Sequence, residues 1–290
     1  MEKTKHLILI FFIYLFTFLA SILFFKILPL NNFILKIILS DVFATFIIFL
    51  FSTAFKNSSI YDPYWSLAPL LIFPFFVQEL DIKTLILMVP LTLWGVRLTL
   101  NWIKTFKSLK VQDWRYDYYR NKTGKLWSFV NFFGIHLMPT IIVIGVMIPG
   151  MLYLESNMQI NFLTALGCSL SLIGIALEDL ADRSAHNFRK ENPGKLNNTG
   201  LWKYSRHPNY LGEITFWWGV FVMMVSIVPS FYYMFILGPI ANTLLFLFIS
   251  IPLMERRQLQ NKPKYRDYQK TTSMLLLLPK RKPATEKTSN

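Results

Sequence analysis

Long apolar stretches follow one another along most of the chain, and they constrain the fold more than any motif does. Eight can be drawn, at roughly 6–28, 33–55, 65–79, 82–103, 126–153, 160–181, 208–228 and 231–254. Each is long enough, or nearly so, to cross a hydrocarbon core about 30 Å thick as a helix. This predicts an all-α integral membrane protein with seven to eight transmembrane helices. The third stretch is short and carries Pro69 and Pro74, so it is expected to be tilted, broken or re-entrant. At 53% hydrophobic and 17% aromatic, the 290 residues are too apolar for a water-facing domain of this size.

A formal charge of +14 would suit a nucleic-acid binder if it formed one patch. It does not. With the N-terminus in the cytosol, 26 of the 30 Lys and Arg fall in inside segments; only Lys26, Lys36, Lys83 and Arg97 lie elsewhere. The charge therefore reads as a topology signal, with both termini cytosolic and no nucleic acid as partner. The N-x-[ST] triplets at Asn57, Asn121 and Asn197 fall on that side and are expected to stay unglycosylated. Lys3 and Lys5 before the first span read as a retained signal anchor, because the run is too long for a signal peptide and no A-x-A-like site follows. No lipidation signal is visible. The single cysteine, Cys168, excludes a disulfide framework or a Cys-based metal site, and no metal is expected. Three regions follow: a transmembrane hairpin at 1–58, a membrane domain at 59–280 and a mobile tail at 281–290.

Ionisable groups at bilayer depth are costly, so each marks a candidate site. Arg97 lies in the fourth span, Glu213 in the seventh, Glu178, Asp179 and Asp182 at the inner end of the sixth, and His136 in the fifth. For His136 a hydrogen-bonded core role is the leading expectation. Asp41, toward the outer half, either pairs with Lys36 or faces a polar pocket.

The densest set of ligand groups runs from Glu178 to Trp218. Glu178, Asp182 and Arg189 share one face of a continuing helix, suited to ribose hydroxyls and a phosphate. Pro193 and Gly194 stop that helix. Arg206 and His207 stand at the next helix start, where free N–H groups favour anions. Asn209 and Glu213, four apart, suit the two-sided hydrogen bonding of a carboxamide. An ordinary basic surface loop with Trp and Tyr anchors would explain the Arg, Lys and Trp, but not an Asn and a Glu entering the membrane. Neither a Gly-rich Rossmann turn nor a P-loop is present, so neither holds a nucleotide here.

The run Gly200-Leu201-Trp202-Lys203-Tyr204-Ser205-Arg206-His207-Pro208-Asn209-Tyr210-Leu211-Gly212-Glu213 resembles the C-terminal half of the steroid 5-alpha-reductase superfamily, in its bacterial-type branch. Pro252-Leu253-Met254-Glu255, Lys262-Pro263, Tyr265, Tyr268, Asp62, Trp65, Arg97 and Asp113-x-Arg115-Tyr116 extend the similarity over roughly residues 60–280. The resemblance implies an NADPH-dependent reductase of an activated carbon–carbon double bond in a steroid-like or isoprenoid lipid. It implies cofactor contacts from Arg97, Glu178, Asp182, Arg189, Trp202, Arg206, His207, Asn209, Tyr210, Glu213, Arg257, Tyr265 and Tyr268. Asp62 is the nearest acid in context to polarise a carbonyl, and Tyr116 is the other candidate proton donor. The sequence departs from the branch at Ser184, where Gln is usual, and near His136.

The runner-up is an S-adenosylmethionine-dependent methyltransferase of the isoprenylcysteine carboxyl type, which shares an R-H-P-x-Y core. A lipid-binding or scaffold protein is the third class. The residues 193–206 are expected to form a lid between the two halves of the Glu178–Glu213 stretch.

Overall fold

Helices dominate because a chain of apolar segments has to satisfy its own backbone polar groups. The computed structural model describes residues 2–157, 159–226 and 235–281. Among these, every long element is a helix, and the one extended pairing is an isolated parallel bridge between Ser205 and Ser273. Six helical stretches are long and apolar enough to cross a membrane: Glu2–Ile27, Phe33–Ala54, Ile82–Thr105, Trp114–Glu155, Phe162–Glu191 and Leu237–Asn261. The protein is a multi-pass integral membrane protein. Lipid-facing surface is evident on the first span, where Phe11, Phe12, Phe16, Leu19 and Leu23 are all exposed.

The third and seventh expected spans are not among the six, and the third is interrupted as its prolines led one to expect. The third is α3 (Tyr64–Ile72), with Pro69 inside it, followed by the 3-10 turn Phe73–Phe76. Together they rise about 22 Å, short of the hydrocarbon thickness. The seventh is α9 (Pro208–Val225), whose start carries Asn209 and Glu213 and which is not among the six. Its expected end at 228, the expected start of the eighth span at 231 and nearly all of the 281–290 tail lie outside the described residues. Contacts group the chain into two units, Met1–Gln159 and Ile160–Asn290.

In the first unit, α1 (Glu2–Ile27) and α2 (Phe33–Ala54) form a hairpin, with Asn32 capping α2 through its bond from the Leu35 N–H at 2.8 Å. The hairpin packs on α3 through Ile10, Ile13, Ala44, Ile48, Tyr61 and Tyr64. α4 (Ile82–Thr105) starts at the Asp81 cap. α5 (Trp114–Thr123) starts at Asp113 and ends at Gly124, whose φ of 51° favours glycine. α6 (Trp127–Val130) and α7 (Met138–Glu155) are one rod interrupted by the π-helical segment Asn131–Leu137. There His136 bonds the Asn131 carbonyl at 2.8 Å and the Ser52 hydroxyl at 3.1 Å, fully buried. His136 is a hydrogen-bonded core histidine.

The second unit is built on α8 (Phe162–Glu191) and α9, paired antiparallel. Their backbones touch. A Cβ at Gly174 would lie 2.6 Å from the Gly212 oxygen, and one at Gly167 would lie 2.6 Å from the Gly219 oxygen. Small residues at membrane helix crossings permit this approach. α10 (Leu237–Leu245) and α11 (Ile251–Asn261) continue through the π-helical turn Phe246–Ser250, and α12 (Tyr265–Thr271) follows.

Candidate functional site

Both candidate catalytic residues lie in the first unit, and local hydrogen bonds bring them together. Asn57 is buried and caps the turn 58–60 by accepting from the Ser59 N–H. Its amide nitrogen donates to the Leu109 carbonyl at 2.7 Å, clipping the turn to the loop before α5. Ser58 N–H donates to the Gln112 side chain at 2.8 Å, and Asp113 N–H to the Ser59 hydroxyl at 2.8 Å. With the turn and the loop fastened in this way, Tyr116, in the first turn of α5, reaches back and donates its hydroxyl to Asp62. Burial pushes the Asp62 carboxyl up to about 6, against the pull of the Arg115 guanidinium and the Tyr116 bond. Asp62 is thus poised to exchange a proton near neutral pH through a tyrosine already bonded to it. Arg97, on α4, is half-buried.

The second unit gathers four of the cofactor candidates on the facing sides of α8 and α9. The Gly174–Gly212 contact sets the register: a Cβ at Gly212 would lie 2.8 Å from the Glu178 nitrogen. One turn further along, the Asn209 amide donates to Asp182 at 3.4 Å. Glu213 accepts from the Trp217 indole at 2.8 Å. Glu178 and Glu213 are both buried, at 5% and 3% exposure, so two carboxyl groups sit at adjacent levels of a tight helix pair. Arg189, two turns beyond Asp182, is exposed at the α8 end. It lies close enough to Lys262 to help hold that ammonium below its usual range, after burial as the larger cause. Two cations crowding each other at the end of an acidic helix face form an electrostatic pole suited to an anion. Arg257, on α11, is half-buried.

Three of the remaining candidates, Arg206, His207 and Tyr265, converge on one residue that motif spacing did not mark as a site member, Glu255. Arg206 Nε donates to its Oε1 at 2.6 Å, with His207 Nε2 at 3.2 Å and the Tyr265 hydroxyl at 3.3 Å on the same oxygen. Gln269 donates to Oε2 at 2.6 Å. Arg206 Nη1 also donates to the carbonyls of Gln269 and Thr272, at 2.9 and 2.7 Å. Tyr268 donates to the Trp202 carbonyl, and the Trp202 indole donates to the Ala181 carbonyl at 3.1 Å. His207 stacks on Tyr210 with ring centres 5.3 Å apart. Burial holds His207 below the usual imidazole range and raises Tyr265 and Tyr268 above the usual phenol range. These side chains fasten the loop 200–207 to α8, α11 and α12. The segment expected as a lid is therefore bolted down over its second half. The sequence signal for Glu255 was its place in the Pro252-Leu253-Met254-Glu255 run, at the end of an apolar stretch.

Among the described residues, no three His, Cys, Asp or Glu side chains come together as metal ligands would. No solved structure matches the chain. The protein-S-isoprenylcysteine O-methyltransferase of Saccharomyces cerevisiae is 31% identical over 88 residues. That match covers 28% of this chain and 36% of the yeast protein, so the chain aligns with about a third of its relative. A family model described as "Protein of unknown function (DUF1295)" matches residues 48–272, which takes in the Asp62–Tyr116 pair, the α8–α9 face and the Glu255 network. The chain belongs to that family.

Proposed function

We propose that the protein is a membrane-embedded, NADPH-dependent reductase of an activated carbon–carbon double bond in a steroid-like or isoprenoid lipid. The observation that carries this reading is the α8–α9 face, where Glu178, Asp182, Asn209 and Glu213 meet across a glycine-tight contact. The donor set fits a dinucleotide. Asp182 and Glu178 accept from ribose hydroxyls, Asn209 and Glu213 serve the two sides of a carboxamide, and Arg189 with Lys262 attracts phosphate. When bound, NADPH supplies the hydride. The chain's own contribution at the substrate is proton management. Asp62 and Tyr116 would donate to a lipid carbonyl as negative charge develops on its oxygen, a role typically worth about 10²–10⁴ in rate. The resemblance of the 200–213 run to the steroid 5-alpha-reductase superfamily supports the reading.

A methyltransferase using S-adenosylmethionine is the second reading, favoured by the yeast relative's name. Thermal shifts of the purified protein separate the two. Stabilisation by NADPH, lost in Asn209→Ala and Glu213→Gln, supports the reductase; stabilisation by S-adenosylmethionine alone overturns it. NADPH oxidation against enone steroids and unsaturated isoprenoids then identifies the substrate class, with kcat/KM expected to fall at least about tenfold in both variants, roughly 1.4 kcal/mol of transition-state binding.

A further inference from the structure

Four cations gather where α2 ends and α5 gives way to the rod that begins at Trp127: Lys56, Arg120, Lys122 and Lys125. Arg120 ties the two elements together. Its Nη2 donates to the Lys56 carbonyl at 3.4 Å, and its guanidinium lies over the Trp127 ring, 5.1 Å from the centre. That hydrogen bond uses one of the five N–H donors of a guanidinium. Lys122 lies over the Tyr118 ring at 6.0 Å, and Lys56, Lys122 and Lys125 are all exposed. The acids of the neighbourhood are already engaged. Asp113 pairs with Arg115, Glu2 pairs with Lys110, and Asp117 accepts from the Gln112 amide at 2.6 Å. Among the described residues, none of the four cations takes part in an ion pair.

An exposed aromatic face leads away from this cluster along the helices. Phe129, Phe133, Phe132 and Phe46 form one run of ring contacts, with successive centres 4.5, 4.9 and 6.0 Å apart, which joins the rod to α2. Phe129, Phe133 and Phe46 are 62%, 47% and 43% exposed. Phe46 is ten residues from Lys56 along α2, about 15 Å at the helical rise. That is half of a hydrocarbon core of about 30 Å, the depth of one leaflet.

The cations and the aromatic face together select a ligand. A soluble phosphate would engage the cations and leave the face unused. A zwitterionic lipid would cover the face but bring its own ammonium to a place that already holds four positive charges. A lipid with a net negative headgroup satisfies both halves, and a guanidinium binds phosphate oxygens two at a time. We propose that this part of the first unit is a binding site for an anionic phospholipid. Arg120 and Lys56 hold its phosphate, Lys122 and Lys125 add to the field, and an acyl chain lies along Phe129, Phe133 and Phe46.

The test is native mass spectrometry of the full chain, stripped of lipid in detergent and titrated with phosphatidylglycerol or phosphatidylcholine of matched acyl chains. Phosphatidylglycerol should bind at least about tenfold more tightly. Arg120→Ala should bring its affinity down to that of phosphatidylcholine, and Lys122→Glu with Lys125→Glu should do the same. The lysine pair, being exposed, covers the case in which Arg120→Ala fails to fold, and thermal midpoints identify the folded variants. Phe129→Ala with Phe133→Ala should weaken both lipids by at least about threefold, since the chain contact is common to them. Glycerol 3-phosphate in large excess should displace neither. Equal affinity for the two lipids overturns the proposal, as does displacement by glycerol phosphate or unchanged phosphatidylglycerol binding in the folded lysine pair. Unchanged binding in the folded phenylalanine pair overturns it equally. No nucleotide enters the measurement, so the result is independent of the proposed reduction.

Discussion

Asp62 is bonded to a tyrosine 54 residues away, in a buried setting that makes its carboxyl testable. Its carboxyl is raised in the folded protein from an ordinary 3.8 to about 6, so between those values the folded state holds a proton that the unfolded chain releases. Stability from this group is therefore present below about pH 4 and is lost as the pH rises through 6. In Asp62→Asn that dependence disappears: the variant's thermal midpoint should gain on the parent's as pH goes from 4 to 7. Under the proposed function, reduction by the parent should titrate with the same group, and the variant's profile should be flat near pH 6. Asp62 and Tyr116 were legible as separate motif positions. Their pairing was not, because it depends on Asn57 holding a turn against the Leu109 carbonyl, and nothing in an N-x-S triplet announces a buried amide. The same burial closes Asn57 to glycosylation by packing, whichever side it faces.

Two devices govern the helices of the second unit. The first is the backbone contact at Gly174 and Gly212. A larger side chain must drive the helices apart, so Gly174→Val should cost about 1–3 kcal/mol or prevent folding, read as a lower thermal midpoint with loss of any nucleotide-induced shift. The second is Glu255. Its removal leaves the Arg206 guanidinium, only 11% exposed, without its acid. Glu255→Ala should destabilise by about 3–5 kcal/mol and open the 200–207 loop to protease, while Glu255→Gln, which still accepts hydrogen bonds, should lose less. The glycines and the acid were visible as letters. Their roles were not, because close approach is a property of two helices in register, and the Glu255 partners lie at four positions spread over more than sixty residues. The end of α8 was legible: Pro193 and Gly194 mark the stop, and the helix ends at Glu191, ten residues past the apolar stretch that announces it.

At the scale of the molecule, hydropathy identified a helical membrane protein, and the two prolines of the third stretch marked the element that falls short, α3 giving way to a 3-10 turn at Phe73–Phe76. We propose that the basic segments 104–125, 182–207 and 255–281 face the cytosol, following their Lys and Arg excess. Single cysteines at exposed Lys125 and Lys264, in a Cys168→Ser background, should react with a membrane-impermeant maleimide in inside-out vesicles and resist it in right-side-out ones. Equal labelling in both would reject the orientation. The fastening of the 200–207 loop also carries a consequence in time. Arg206 N–H bonds the Ser273 carbonyl, the Ser205 hydroxyl the Leu275 carbonyl, and Leu278 N–H the Tyr204 carbonyl. These partners come about seventy residues later in the chain. During translation, α8 and α9 are made and can pair while their connecting loop has nothing to close against. The loop locks only after residues near 275 have emerged from the ribosome, so the nascent protein passes through a stage in which its helix pair is made and the loop that joins it is still unfastened.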